Sequence, residues 1–263
     1  MSTPAPRPDA RLARRPPDRR SAAVILATAL VVCLGLAIWL THGAEEVLES
    51  VSQGNGIALW DRPVLTWAES VRTPTLNGVI AWYSNTGGPL WQPIVSVIVV
   101  AFLCWRWRDA TPFVLTAVAA GGALAITYFG KRAVGRVRPP LAEAIPPYEY
   151  SPSFPSGHTL NATVIAGILC YLILRHTKPY GWGVRLFWVA FFGLYALTMG
   201  LTRVYLGHHW LTDVFAGWLL GFAWVAVVIA LHRIWRAVRH REEGRPIEEE
   251  RAAPALRPGP ASG

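Results

Sequence analysis

AAVILATALVVCLGLAIWLT, residues 22–41, is a run without a single charge. As an α-helix rising about 1.5 Å per residue it is about 30 Å long, enough to cross the hydrocarbon core of a bilayer. It follows residues 1–20, which are rich in Pro, Arg and Asp, have little to bury and are expected to form a disordered basic tail. A basic start before an apolar run also describes a secretory signal. This run is long for such a signal, and His42-Gly43-Ala44-Glu45-Glu46 offers no clean small-x-small cleavage site, so an uncleaved anchor is expected.

Further apolar runs follow. Residues 43–72 are polar and amphipathic, with Trp60 and Trp67 placed as interface anchors. From Thr73 to Trp105 there is again no charge, over too great a length for one simple span. Asn85-Thr86-Gly87-Gly88-Pro89 is turn chemistry. It divides the stretch into a short interfacial helix and a span over 90–105. Later spans are expected over 112–129, 159–174, 186–201 and 214–231. The expected fold is all-α: an integral-membrane bundle of six transmembrane helices over residues 21–236, without internal repeats. Residues 237–263, with Glu248-Glu249-Glu250, are expected to be a disordered charged tail. Composition agrees, since 52% of residues are hydrophobic and 16% charged, against about 25% charged in a soluble domain.

The net charge of +9 raises nucleic acid as a partner, but the distribution argues against it. Most cations sit in tails and short connectors beside apolar runs, where they signal topology and meet anionic lipid. Six spans put both termini on one side, and eighteen of the 25 Lys and Arg residues fall on that side. The positive-inside rule then makes the termini cytoplasmic. Of the seven cations left outside, Lys131, Arg132, Arg136, Arg138 and Arg203 cluster in two loops. Positive charge on that side points to anion binding. Cys33, Cys104 and Cys170 lie scattered in apolar runs, with neither disulfide nor metal-ligand spacing, and read as small buried hydrophobes.

Three groups of polar residues stand at the outer ends of the later spans. They are Lys131 to Pro139, Pro155-Ser156-Gly157-His158, and Thr202 to Asp213. They resemble the signature of the type 2 phosphatidic acid phosphatases, the superfamily of lipid phosphate phosphatases and haloperoxidases. That pattern is Lys, six residues, Arg-Pro; then Pro-Ser-Gly-His; then Ser-Arg, five residues, His, three residues, Asp. Every spacing matches, and one residue departs: Thr202 stands where the family usually has Ser.

The resemblance implies a site at the extracytoplasmic helix ends. In it Lys131, Arg138 and Arg203 bind phosphate, the two arginines as planar forks. The backbone N–H groups of Ser156 and Gly157, at a helix start, act as an oxyanion hole, and Gly157 permits close approach. His209 is the nucleophile, and Asp213, one helical turn on, orients its ring. His158 is the general acid and then the base for water. No metal or cofactor is implied, because the cations neutralise the phosphoryl oxygens. His208 is outside the pattern, and Arg132 and Arg136 are left undecided.

The function so implied is hydrolysis of a lipid phosphomonoester or diphosphate through a phosphohistidine. Phosphatidate, phosphatidylglycerophosphate and a polyprenyl diphosphate such as the undecaprenyl carrier are the candidate substrates. Ala-, Arg- and Pro-rich composition fits a high-GC bacterium and its plasma membrane. Vanadate-dependent haloperoxidases share the signature but are soluble. A catalytically inactive lipid-phosphate-binding or transport protein is the other class to keep. The oligomeric state is not legible.

Overall fold

The computed structural model describes residues 19–177 and 181–252, and among them every regular element is helical. The order is α1 (Arg19–Gln53), a 3-10 turn (Gly56–Trp60), α2 (Asp61–Ser70), α3 (Pro74–Thr86), α4 (Trp91–Trp107) and α5 (Thr111–Val134). A second 3-10 turn (Leu141–Glu143), α6 (Gly157–His176), α7 (Trp182–Tyr205) and α8 (Leu211–Ala252) follow. Residues 1–18 and 253–263, most of the expected tails, lie outside the described residues.

Five helices are long and apolar enough to cross a membrane, with spans over Leu26–Gln53, α5, α6, α7 and Leu211–Arg239. The sixth candidate is a broken one: α3 and α4 qualify only together, bent by 51°. Thr73 starts α3, its side chain accepting the Leu76 N–H at 3.2 Å, and Pro74 fills the first helical position. Asn85 to Pro89 then breaks the backbone.

Two helix ends differ from the expected boundaries. The first helix does not stop near Thr41 but runs on to Gln53, because Ala44-Glu45-Glu46-Val47-Leu48-Glu49 favours helix and buries Ala44 and Val47. Likewise α8 continues past residue 236 to Ala252. The three cysteines are half-buried rather than enclosed.

Helix α6 is the axis of the molecule. Leu160, Val164, Ile168 and Leu172, spaced by four on one face, pack with Leu115, Ala119 and Ala123 of α5 and Val225 and Val228 of α8. On another face α6 meets α8 at Gly217 and Gly221. A Cβ on Gly217 would stand 3.0 Å from the Thr159 side chain, and one on Gly221 2.9 Å from that of Thr163. This small-xxx-small spacing lets the two backbones approach, which draws the starts of α6 and α8 together. The Ser156 N–H there donates to the Asp213 carbonyl at 3.1 Å. Helix α1 lies along α8, with Ala37 and Leu40 against Ala223 and Ala226.

The loops over these helix starts are tied down from α2 and its surroundings. Arg72 donates to the Tyr205 carbonyl (Nη2, 2.6 Å) and the Glu143 carbonyl (Nη1, 2.7 Å). Gly207 turns the chain between α7 and α8 with φ +72°, and a Cβ there would meet the Glu143 carbonyl at 2.6 Å. Both the left-handed backbone and the contact therefore require glycine at this turn.

Candidate active site

Four pieces of chain meet above the start of α6: the end of α5, the loop after it, the α6 N-terminus and the α7–α8 turn. His209, on that turn, is enclosed, with 1% of its surface exposed. Its Nε2 lies 3.0 Å from Nη1 of Arg138, and its Nδ1 lies 3.4 Å from both Oδ2 of Asp213 and Oγ of Ser153. A guanidinium only donates, so Nε2 is the acceptor and the ring proton sits on Nδ1, facing Asp213. Burial first, then the Arg138 and Arg203 guanidinium groups, push the His209 pKa well below 6.5. The result is a neutral imidazole whose Nε2 lone pair faces a cluster of cations.

Asp213 is fully buried and surrounded by donors. Its Oδ1 accepts from Nη1 of Arg136 at 2.6 Å, and its Oδ2 accepts from the Trp210 N–H at 2.9 Å and from the Ser153 hydroxyl. The Trp210 bond closes the first turn of α8. Arg136 thus has a defined place against the catalytic aspartate candidate, where the sequence left it undecided.

Arg138 and Arg203 converge on Glu149, a residue that sequence reasoning missed. Nη2 of Arg138 stands 2.8 Å from Oε2, and Nη2 of Arg203 donates to Oε1. On the same carboxylate, His158 Nδ1 lies 3.6 Å from Oε1 and His209 Nε2 3.8 Å from Oε2. Burial works to raise the Glu149 pKa, but the neighbouring charges, led by Arg203, outweigh it and hold the carboxyl well below the usual carboxylate range. The two histidines therefore flank an anion held by two arginines.

Other expected residues stand less simply. Lys131 donates through Nζ to the Pro152 carbonyl. The Ser156 N–H, expected as a phosphate donor, is committed to the Asp213 carbonyl, and its side chain is fully buried and accepts from Thr159 Oγ1 at 2.9 Å. Ser156 fastens α6 to α8, its N–H occupied by the Asp213 carbonyl. The first-turn N–H groups of α6, from Gly157 onward, are left without intrahelical acceptors, as at any helix start. At Gly157 the close neighbour is Thr127 of α5, 3.1 Å from where a Cβ would be.

Ser84 of α3 is a second missed residue. It is buried, receives Nη1 of Arg203 at 2.7 Å and bonds the Thr202 hydroxyl at 3.1 Å. The Thr202 hydroxyl also donates to the Met199 carbonyl at 2.7 Å.

Two cavities adjoin the site, and Glu149, Tyr150 and Ser151 line both. One, of about 450 Å³, lies among Arg136, Arg138, Pro140 and His208. The other, of about 1320 Å³, is a mainly apolar groove between α4 and α5. It extends from Arg108 and Phe113 at one end of these helices to Lys131 and His158 at the other.

A helical membrane bundle that closes two histidines and two arginines around an anion defines a class of protein. The chain belongs to the PAP2 superfamily, whose family model matches residues 110–237. Over 156 residues it is 30% identical to an undecaprenyl-diphosphatase of Sulfolobus acidocaldarius, covering 58% of this chain and 68% of that protein. It is 28% identical over 175 residues to phosphatidylglycerophosphatase B of Bacillus subtilis, covering 66% and 84%. The crystal structure of a transmembrane PAP2-type phosphatidylglycerolphosphate phosphatase from Bacillus subtilis superposes with TM-score 0.68 at 25% identity, covering 74% of this chain and 95% of that one. LpxE of Aquifex aeolicus shares the fold, with TM-score 0.52 at 21% identity over 65% and 94%.

Proposed function

We propose that this chain is an integral-membrane phosphatase that hydrolyses a lipid phosphomonoester or diphosphate through a phosphohistidine on His209. The observation that carries the reading is the Glu149 carboxylate, held by Arg138 and Arg203 with His209 on one oxygen and His158 on the other. A phosphoryl group needs the same donors, so substrate displaces Glu149 from both arginines. Nε2 of His209 then attacks phosphorus, the phosphorus–oxygen bond to the lipid breaks, and His158 protonates the departing oxygen. The ring, protonated on Nδ1, becomes a cation that Asp213 stabilises. His158 next takes a proton from water, which attacks phosphorus and frees His209 and inorganic phosphate.

The apolar groove beside His158 and Lys131 suits the lipid chain, and it opens on the side of the site where the leaving oxygen must be. The names of the relatives favour phosphatidylglycerophosphate or undecaprenyl diphosphate over other lipid phosphates. Purified protein in detergent is expected to release phosphate from at least one member of a panel of these lipids and phosphatidate. Release is expected to persist in EDTA, with competitive inhibition by vanadate, whose five-coordinate form resembles the transition state. Loss of release in EDTA, restored by magnesium, would assign charge neutralisation to a metal instead of to the arginines.

The site faces the extracytoplasmic side in this reading, with both termini in the cytoplasm, because eighteen of 25 cations lie on the side of the termini. Reporters inserted within residues 140–150 and fused after residue 263 are expected in opposite compartments. A shared compartment would overturn the arrangement.

A further inference from the structure

Asp213 is not held by His209 alone. Its Oδ1 accepts from Nη1 of Arg136 at 2.6 Å, and Nη2 of the same guanidinium donates to Oδ2 of Asp61 at 2.7 Å. Asp61 is buried at the start of α2, and it also receives the Thr212 N–H at 2.9 Å and the Thr212 hydroxyl at 2.7 Å. The Arg136 guanidinium lies 5.7 Å from the Trp210 ring centroid, and the Trp210 indole N–H donates to the Val137 carbonyl at 2.9 Å. One planar fork therefore spans two carboxylates from different helices, over an aromatic face that limits its motion. Asp61 lies outside residues 110–237, the part matched by the family model.

The charges have a consequence for the reaction. Two carboxylates and one guanidinium leave this buried group with one net negative charge. Arg136 and Asp213 alone would be neutral, and Asp213 would then have little field to offer the ring. In the step proposed above, His209 turns from neutral imidazole to cation as Nε2 bonds phosphorus, while the lipid oxygen leaves with the electron pair of its bond and takes a proton from His158. Net negative charge behind Nδ1 stabilises that cation more than it does the neutral ring, so it acts on the transition state more than on substrate binding.

We infer that Arg136 and Asp61 are positioning residues. Arg136 fixes the Asp213 carboxylate against the His209 ring, and Asp61 both fixes Arg136 and keeps the group net negative. The inference rests on the proposed His209 chemistry.

Asp61→Asn keeps the shape and an oxygen for the Thr212 N–H, while it removes one charge and the acceptor that holds Nη2 of Arg136. Its kcat is expected to fall by about 10- to 100-fold, with KM and the inhibition constant of inorganic phosphate within about twofold of wild type. Arg136→Gln is expected to lose at least as much. The double variant Asp61→Asn with Arg136→Gln leaves Asp213 as the single charge, so its loss is expected to be smaller than the product of the two single losses. If Arg136→Gln does not accumulate in the membrane, Arg136→Lys, which keeps the charge without the two-way fork, is expected to lower kcat at unchanged KM. Wild-type kcat in Asp61→Asn, equal changes in kcat and inorganic phosphate binding, or strictly multiplicative losses would each overturn the inference. A wild-type protein with no phosphatase activity would sink the functional reading itself, whereas an active wild type matched by Asp61→Asn sinks this inference alone.

Discussion

His209→Ala is expected to abolish turnover, by at least about 10⁴-fold, and to leave no covalent phosphoprotein. The geometry offers no substitute among the described residues. His208, the adjacent candidate, is turned away, its ring Nε2 2.7 Å from the Ile145 carbonyl. The Ser153 hydroxyl is engaged by Asp213, the Ser151 hydroxyl accepts from Nη2 of Arg138 at 3.1 Å, and the groups paired with Glu149 are guanidinium groups, His158 and His209 itself. Inorganic phosphate binding is expected to survive in this variant, because Arg138, Arg203 and Lys131 are untouched. Residual turnover within about tenfold of wild type, measured as phosphate release, would remove His209 from the nucleophile's role.

The second large effect separates the two histidines. His158→Ala is expected to slow hydrolysis of a lipid phosphomonoester by about 10³-fold, the range over which a positioned general acid acts. The lipid alkoxide cannot depart without a proton, and His158 stands on the side of the Glu149 carboxylate away from His209, lining the groove that suits the lipid. For a nitrophenyl phosphate, whose leaving group departs as a stable anion, the first step is expected to lose less than about tenfold. Burst kinetics with both substrates check this. Equal losses for the two would mean that His158 binds phosphate and does not deliver a proton.

The parts legible in the sequence are those written in local pattern. Charge-free runs placed the helices from α5 onward, and Asn85 to Pro89 placed the break between α3 and α4. The spacing of Lys131, Arg138, His158, Arg203, His209 and Asp213 named residues that the fold brings to one end of the bundle, with Arg138, His158, Arg203 and His209 against the Glu149 carboxylate. What escaped depends on partners far apart in the chain. Arg136 meets Asp213 and Asp61 across 77 and 75 residues, and neither separation leaves a periodic signal. Glu149 lies in a proline-rich loop whose path is set by its neighbours, and it stood in the sequence as one carboxylate among many. Ser84 is one of several hydroxyls in α3, recognisable only once Arg203 is seen to reach it. The Ser156 bond escaped for a related reason: motif spacing places its N–H at a helix start but does not show the Asp213 carbonyl that accepts from it.

The central claim is a covalent bond between phosphorus and one ring nitrogen. It is tested most directly by mixing the protein with a lipid phosphate labelled on its terminal phosphorus, quenching rapidly, and mapping the label. The account predicts acid-labile, base-stable phosphate on the peptide containing His209, absent from His209→Ala and longer-lived when His158 cannot activate water. Label on His158, label on a serine, or full turnover without any labelled protein would contradict it.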